Sequence, residues 1–372
     1  MVLGLMYNNK TLDSEEHENE SLQDRIIKYP REATVFASVC CIIFIVVGCL
    51  GNLVTIFALS RCVKLRNATT AFVFSLCMAD FLFCAFNLPL TASRYIHEKW
   101  VLGDTLCFLF PFFFYGNVAA SLMSMTAITI NRFILINHPS KYEKIYKKRY
   151  IALMIAFCWI FSFVLLVPTL TSSWGTFGLD PETFSCTILK LDGKSPKKFL
   201  FILGFLIPCV VIIISYSCIF FKVRRTRENV AAHSPPVSPT SPTPLMKHSV
   251  HKKDELRITC MMLIIFISFL ICFLPLMIVN VFDNKVSFPA IHVLASILAW
   301  MASCINPVIY ALMNRTYRKA YCQLFRCCSC KPPTTNPKTY HLRSSGSNDS
   351  QTKISEVFTF PKTKYKDEDD PV

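Results

Sequence analysis

The stretch NATTAFVFSLCMADFLFCAFNLPLTAS, residues Asn67–Ser93, carries a single charged side chain, Asp80, near its middle. A helix crosses the hydrocarbon core of a bilayer in about 20 residues, so this stretch is long enough to span a membrane. Only a helix satisfies its own backbone hydrogen bonds over such a run in lipid. A carboxylate at that depth costs roughly 2.5–3.5 kcal/mol to insert, so Asp80 needs a polar partner or a function. The stretch therefore predicts a membrane-spanning helix with a polar site inside a bundle.

Six further stretches of similar length contain few or no charged residues. Together they give seven predicted spans: 33–60, 67–93, 105–136, 150–172, 199–222, 255–282 and 286–313. Of the 372 residues, 53% are hydrophobic and only 17% are charged, a combination that is rare in soluble domains. The sequence thus predicts an all-α membrane protein, folded as a seven-transmembrane helix bundle.

The net charge of +15 is concentrated in the segments that follow the first, third, fifth and seventh predicted spans. The positive-inside rule makes that side cytoplasmic, which places the N-terminus outside and the C-terminus inside. This distribution argues against nucleic-acid binding, because the basic residues flank apolar spans, where they face anionic lipid head groups. We expect a multi-pass protein of the plasma membrane, without a cleavable signal peptide.

The predicted outer side carries two kinds of modification site. The polar N-terminal segment, 1–32, contains glycosylation sequons at Asn9 and Asn19. Most of the 18 cysteines lie in predicted spans, which leaves Cys107, at the outer end of the third, and Cys186, in the loop after the fourth. Because the exterior is oxidising, we predict a disulfide bond between these two cysteines.

The predicted cytoplasmic side has three segments outside the bundle. Residues 223–254 form a third cytoplasmic loop with several Ser-Pro and Thr-Pro pairs, which either accept phosphate or are simply flexible. Residues 315–326 alternate basic and aromatic side chains, which predicts a short amphipathic eighth helix. The tail, 327–372, is polar and predicted to be disordered. Its juxtamembrane cysteines are palmitoylation candidates: Cys327, Cys328 and Cys330.

Distinctive residues occur in each of the seven predicted spans. In chain order they are Gly51-Asn52, Leu76-Cys77-Met78-Ala79-Asp80, Asn131-Arg132-Phe133, Trp159 and Pro168, Pro208 and Tyr216, Cys272-Phe273-Leu274-Pro275, and Asn306-Pro307-Val308-Ile309-Tyr310. This ordered set resembles the rhodopsin-like (class A) G-protein-coupled receptors, and the resemblance covers roughly Thr34 to Phe325. Within that family the runs Ala68–His97 and Phe110–Asn117 most resemble the insect Moody / Trapped-in-endoderm group, with melatonin receptors more distant.

The resemblance implies a receptor that converts binding of an extracellular ligand into activation of a heterotrimeric G-protein. It also implies arrestin and a receptor kinase as partners, and roles in glial barrier function or guided cell migration. Coupling and activation would then be carried by Asn131, Arg132, Phe133, Tyr216, Glu255, Phe273, Pro275, Asn306, Pro307 and Tyr310. Arg132 would pair with Glu255 at rest and be released to receive the G-protein. Asn131 stands where most of the family has Asp, so we expect raised basal activity.

A second group of residues resembles the sodium pocket of the family. It consists of Asp80, Asn52, Ser121, Ser303 and Asn306. Oxygen ligands suit a hard cation, and the ion would offset the buried carboxylate. The alternative is a protonated Asp80 that shares hydrogen bonds without any metal. Sodium as an allosteric ion is the only cofactor expected.

The residues at two positions restrict the chemical class of the ligand. Phe114 stands where amine receptors carry an Asp, which argues against an amine ligand, and Trp300 stands where opsins carry the retinal Lys. The outer part of the third span is rich in Phe, which favours an apolar or lipid-like ligand oriented by a few polar groups. The predicted pocket residues are Phe114, Tyr115, Asn117, Asn280 and Trp300. A packing role for these aromatics, and a peptide or protein ligand on the outer loops, both stay open.

Three other function classes fit the sequence less well than a receptor does. No nucleophile–base pair, metal-ligand cluster or phosphate-binding loop occurs in the sequence, so an enzyme is not expected. A transporter or channel is the first alternative, although no inverted repeat is apparent. A junctional membrane protein that does not couple to G-proteins is the second, although scaffolding alone would not require Arg132, Tyr216 and Tyr310.

Overall fold

The computed structural model describes residues 29–62, 67–181, 183–232, 244–282 and 286–327, and all structural statements below concern these residues. Within them, seven helices are long and apolar enough to cross a membrane, as predicted. We call them the first to seventh spans: Arg31–Arg61, Ala68–His97, Asp104–Asn137, Lys148–Leu170, Lys197–Thr226, Glu255–Val279 and Pro289–Met313. The predicted sites Asn9, Asn19, Cys328 and Cys330, and the tail beyond Cys327, lie outside the described residues.

The outer surface of the spans is covered by large apolar side chains. Phe36, Phe157 and Phe220 are each more than half exposed, at 55%, 58% and 61%. A surface of this kind would aggregate in water, whereas lipid solvates it. The interior of the cytoplasmic half is instead closely packed around buried residues such as Leu76 and Ile212. The apolar exterior and the packed interior together are those of a helix bundle in a membrane.

Two spans are interrupted by a single π-helical turn. In the second span, Phe83–Asn87 forms this turn between the helices Ala68–Leu82 and Leu88–His97. A proline, Pro89, follows at once, and proline has no amide proton for the helix ladder, so a widened turn accommodates it. The turn rotates the outer half of the span relative to its inner half, and it leaves Asn87 only 1% exposed.

The fifth span repeats this arrangement, and the fourth ends at a proline. The fifth consists of the helix Lys197–Phe201, the π-helical turn Ile202–Leu206 and the helix Ile207–Ala232, with Pro208 directly after the turn. In the fourth, the helix Lys148–Val164 is followed by the short helix Val167–Leu170, which starts around Pro168.

The outer loop after the fourth span is a β-hairpin attached to the bundle. Strand β1, Thr176–Asp180, pairs antiparallel with β2, Ser185–Leu189, and Leu179 lies opposite Cys186. Alternate residues of β2, including Cys186, are buried, as expected for a strand with one covered face. Cys186 forms a disulfide bond with Cys107 at the outer end of the third span, which confirms the predicted pairing.

On the predicted cytoplasmic side, a short helix, Pro139–Ile145, follows the third span. The helix of the fifth span continues to Ala232 and that of the sixth, Pro244–Phe282, begins before Glu255. The segment predicted as a loop, 223–254, is therefore helical at both edges, and 233–243 lies outside the described residues. Helix propagation from an anchored span is cooperative, so it extends past the point where apolarity ends.

The eighth helix, Arg315–Cys327, begins directly after Asn314. The Asn314 side chain accepts a hydrogen bond from the Thr316 backbone amide at 2.9 Å and so caps the helix start. The Tyr321 hydroxyl lies 2.9 Å from Thr55 Oγ1 of the first span. These contacts hold the helix against the base of the bundle, and the predicted palmitoylation site Cys327 is its last residue.

Candidate functional site

Arg132 is the centre of a polar cluster near the C-terminal end of the third span. Its side chain is 2% exposed and forms an ion pair with Glu255 of the sixth span, which is 29% exposed. Its second terminal nitrogen, Nη2, donates to Thr69 Oγ1 at 2.6 Å, and its Nε is buried with no hydrogen-bond partner in the described residues. The structure therefore brings together the two predicted partners and joins three spans through one guanidinium group.

Asn131 belongs to the same cluster but does not touch Arg132 directly. Thr69 donates from Oγ1 to Asn131 Oδ1 at 2.6 Å, so this hydroxyl serves both residues. Asn131 Nδ2 in turn donates to the Tyr142 hydroxyl, 3.2 Å away in the short helix after the third span. The sequence interpretation missed Thr69 and Tyr142, since neither belongs to a recognised motif, and only the helix packing shows their contacts.

Three other predicted activation residues, Tyr216, Tyr310 and Phe133, belong to one packed core of the bundle. The hydroxyls of Tyr216 and Tyr310 are buried and have no hydrogen-bond partner in the described part of the chain. A buried unpaired hydroxyl costs about 1–3 kcal/mol, so both side chains would gain from a different arrangement. Phe133 is half-buried, and its ring lies 5.8 Å from that of His138. Arg132 and these two tyrosines thus lie on the inside of the bundle.

Asp80 lies at the junction of the second, third and seventh spans. One carboxylate oxygen accepts from Ser121 Oγ at 3.0 Å, and the other accepts from Asn306 Nδ2 at 2.7 Å. A cavity with room for about one water molecule lies beside them and is also lined by Ser303. Asn52 is not part of the lining; its Nδ2 donates to the Ser303 carbonyl at 2.9 Å, and its Oδ1 is buried without a partner. Four of the five predicted sodium ligands therefore meet at one cavity.

The predicted hinge residues connect this cavity to the sixth and seventh spans. Phe273 also lines the cavity, and its ring is stacked on Phe269 with the centroids 4.4 Å apart. Pro275 lies inside the sixth span, two residues after Phe273, and Pro307 lies inside the seventh. Because proline removes one hydrogen bond from the helix ladder, these are the points at which each helix can bend.

At the outer end, the predicted ligand residues fall into different packing groups. Phe114 packs on Phe83 at 5.3 Å, and Trp300 packs on Tyr95 at 5.7 Å, measured between ring centroids. The Tyr115 hydroxyl lies 2.9 Å from Thr187 Oγ1 of the hairpin.

The two predicted polar members of this site are Asn117 and Asn280. Asn117 is buried, and the side chain of Asn280 lies outside the described part of the chain. None of the five predicted ligand residues lines the cavity beside Asp80. The contacts of Phe114 and Trp300 are with neighbouring rings, and their role in a ligand pocket stays a prediction.

Comparison with known proteins decides the family. Residues 51–310 match the seven-transmembrane receptor family of rhodopsin type. The chain belongs to this family. The receptor is similar to Protein trapped in endoderm-1 of Drosophila melanogaster, with 48% identity over 80% of this chain and 79% of that protein. It is also similar to the G-protein coupled receptor moody of the same species, with 38% identity over 79% of this chain and 51% of that protein.

More distant matches agree with this assignment. Melatonin receptor type 1B-B of Danio rerio is 30% identical over 75% of the receptor and 78% of its own length. The crystal structure of squid rhodopsin has the same fold, with a TM-score of 0.72 over 82% of the receptor and 89% of that chain, at 24% identity. The predicted family and fold are confirmed. Because its relatives are receptors, the receptor is not an enzyme, and the transporter alternative is not supported.

Proposed function

We propose that the receptor converts binding of a ligand at its extracellular end into activation of a heterotrimeric G-protein at its cytoplasmic end. Family membership implies G-protein coupling. The observation that carries the proposal is the buried ion pair between Arg132 and Glu255. This pair joins the third and sixth spans, so separating the spans would break it and free the guanidinium group for a partner.

A two-state bundle of this kind couples its two ends by linkage. A ligand that binds the separated state more tightly shifts the population toward that state, and a G-protein does the same from the other side. The unpaired hydroxyls of Tyr216 and Tyr310 support this proposal, since hydrogen bonds formed in the separated state would offset the lost ion pair. The prolines of the sixth and seventh spans supply the points of bending.

The proposal is tested by basal activation of a panel of G-protein biosensors in cells. The wild-type receptor should give a signal above mock-transfected cells for at least one G-protein, and Arg132→Ala should abolish it at equal surface expression. Arg149→Ala is the matched control, because Arg149 is an exposed cytoplasmic cation at the start of the fourth span. A signal that survives in Arg132→Ala would contradict the proposed role of this residue.

Restoring the family's usual acid at position 131 should lower basal signalling. In Asn131→Asp the carboxylate would lie beside the Arg132 guanidinium group, next to the Thr69 hydroxyl that both residues already contact. An added charge interaction of about 1.4 kcal/mol would reduce the active population about tenfold. Biosensor signal per receptor at the cell surface measures this change. Unchanged basal signalling would show that the missing charge does not restrain Arg132.

We further propose that the cavity beside Asp80 holds a sodium ion. Its lining fits such an ion: a carboxylate and two serine hydroxyls supply hard oxygen ligands, and the space suits one small particle. Asp80, Ser121, Ser303 and Asn306 would hold the ion. Bound there, the cation would neutralise the carboxylate and so favour close packing of the second, third and seventh spans.

The sodium proposal predicts salt-specific stability. The melting temperature of the purified receptor should be a few degrees higher in sodium chloride than in choline chloride, since ligand at ten times its Kd stabilises by about 1.4 kcal/mol. Asp80→Asn should remove the difference, whereas Asp192→Asn, at an exposed acid of the outer loop, should keep it. Equal melting temperatures for the wild type in the two salts would favour a protonated Asp80 without metal.

The remaining features of the proposal concern orientation and partners. The basic cytoplasmic segments support an N-terminus outside and a C-terminus inside, in the plasma membrane. We propose glycosylation at Asn9 and Asn19, palmitoylation near Cys327, and arrestin and a receptor kinase as further partners. The Phe-rich third span supports an apolar or lipid-like ligand. Roles in glial barrier function or cell migration stay predictions from the resemblance.

A further inference from the structure

A cation with no ion-pair partner among the described residues lies in the outer half of the second span. Arg94 is partly buried, and its guanidinium carbon is 4.4 Å from the centroid of the Tyr95 ring. The Nε of Arg94 is buried and has no hydrogen-bond partner among the described residues, in which no acidic side chain forms an ion pair with it. Glu98, four residues on, accepts a hydrogen bond from Thr34 Oγ1 at 2.9 Å. A buried donor without an acceptor is costly, so the Nε of Arg94 would gain from an anionic acceptor.

A second unpaired polar group lies deeper on the same face. Asn87 is 1% exposed, and neither its amide oxygen nor its amide nitrogen has a hydrogen-bond partner among the described residues. It precedes Arg94 by seven residues, which is two helical turns or about 10 Å along the helix axis. The two side chains therefore mark the two ends of a polar stripe on the inside of the second span.

Aromatic side chains surround the outer end of this stripe. The Tyr95 ring lies 5.7 Å from Trp300 of the seventh span and 6.5 Å from Phe184 of the outer loop, between centroids. Phe184 also packs on Tyr29, at 4.7 Å. Burial raises the pKa of Tyr29, and the Arg94 guanidinium group acts in the opposite direction, so this cation is close enough to act on the Tyr29 hydroxyl.

The backbone of Phe184 has an unusual conformation. Its φ is 36°, in the left-handed region that a bulky L-residue rarely adopts. Two residues later, Cys186 ties the loop to the third span through the disulfide bond. Backbone strain of this kind persists only where the surroundings enforce it, and it is frequent at ligand clamps.

From these observations we propose that the ligand is an acidic amphiphile, with its anionic head group on Arg94 and its apolar body directed toward Asn87. A guanidinium group binds a carboxylate or phosphate through two parallel hydrogen bonds, which a neutral or cationic head group cannot replace. Tyr95, Phe184 and Trp300 would line the site around the head group, and a polar group in the otherwise apolar body, such as a hydroxyl, would form a hydrogen bond with Asn87. This inference rests on the proposed function only in taking the outer end as the ligand site.

The test uses the full-length receptor in nanodiscs and four probes with the same chain: oleic acid, oleoyl lysophosphatidic acid, oleyl alcohol and oleylamine. Apparent affinity is read from the concentration dependence of the melting temperature. At least one acid should bind about tenfold or more tightly than the alcohol and the amine. Arg94→Gln should abolish this preference, Arg94→Lys should keep part of it, and Lys99→Gln, at an exposed cation of the same outer end, should leave it intact.

Equal affinities of acid and alcohol for the wild type, or no shift with either acid, would overturn the proposal. An acid preference that persists in Arg94→Gln would do the same. A preference for oleic acid or for the lysophosphatidic acid would identify a carboxylate or a phosphate as the head group. Arg94→Lys keeps the positive charge, so it tests the proposal even if Arg94→Gln does not fold. Arg132→Ala should keep the preference for the acid over the alcohol and the amine, so a failure of G-protein coupling remains distinguishable from a failure of this site.

Discussion

Glu255→Gln is expected to raise basal G-protein signalling about tenfold. Glutamine keeps the shape of the side chain but removes the charge that pairs with Arg132, and hydrogen bonds to charged groups contribute about 1.5–3 kcal/mol. Because the pair joins the third and sixth spans, losing about 1.4 kcal/mol of it shifts the two-state population about tenfold toward separation. Biosensor signal, normalised to receptor at the cell surface, measures the change.

The receptor offers a matched control for this substitution. Glu228 forms an ion pair with Arg224 at 2.9 Å, but both side chains are more than 60% exposed, at 62% and 68%. Exposed pairs of this spacing contribute only about 0.3–0.5 kcal/mol, so Glu228→Gln should leave basal signalling unchanged. If the two variants raise the signal equally, the position of the Arg132 pair between two spans is not what restrains the receptor.

Cys186→Ser is expected to lower the melting temperature by about 10 °C and to deplete the receptor from the cell surface. The disulfide closes a loop of 79 residues between the third span and the hairpin, which in the chain-entropy account stabilises by roughly 4 kcal/mol. Cys186 is buried against the bundle, so its loss also frees the strand that carries Tyr115's partner, Thr187.

Thermal denaturation of purified receptor and flow cytometry of an N-terminal tag measure the two effects. Cys218→Ser is the control, since Cys218 is an exposed free cysteine of the fifth span. Cys107→Ser should reproduce the result of Cys186→Ser, and the double variant should add nothing further. Additive losses would mean that each cysteine stabilises through its own packing and not through their bond.

The sequence was sufficient for features that depend on composition and spacing. Asp80 in an apolar stretch predicts a buried polar site, and the structure places Ser121 and Asn306 on its carboxylate. The charge of the loops predicts which side of the membrane is outside, and the outside is oxidising. These two facts were enough to predict the disulfide bond between Cys107 and Cys186. These inferences need only the number of spans and the side on which each one ends.

Features that depend on helix rotation could not be predicted in the same way. Thr69 is one of many threonines until the second span turns it toward Arg132 and Asn131. Arg94 was missed because a search for uncharged stretches ends at Ser93, whereas the helix continues to His97. The π-helical turn that precedes Leu88 changes which residues of the second span face inward. The local pattern of apolar residues does not predict this turn.

Nucleotide exchange by a reconstituted complex tests the central claim most directly. The purified receptor in nanodiscs is mixed with the heterotrimeric G-protein that the biosensor panel selects, and GTPγS binding is followed over time. We predict exchange above empty nanodiscs, faster exchange with Glu255→Gln, and none above background with Arg132→Ala. Exchange that is equally fast with all three receptors would contradict the claim that release of Arg132 activates the G-protein.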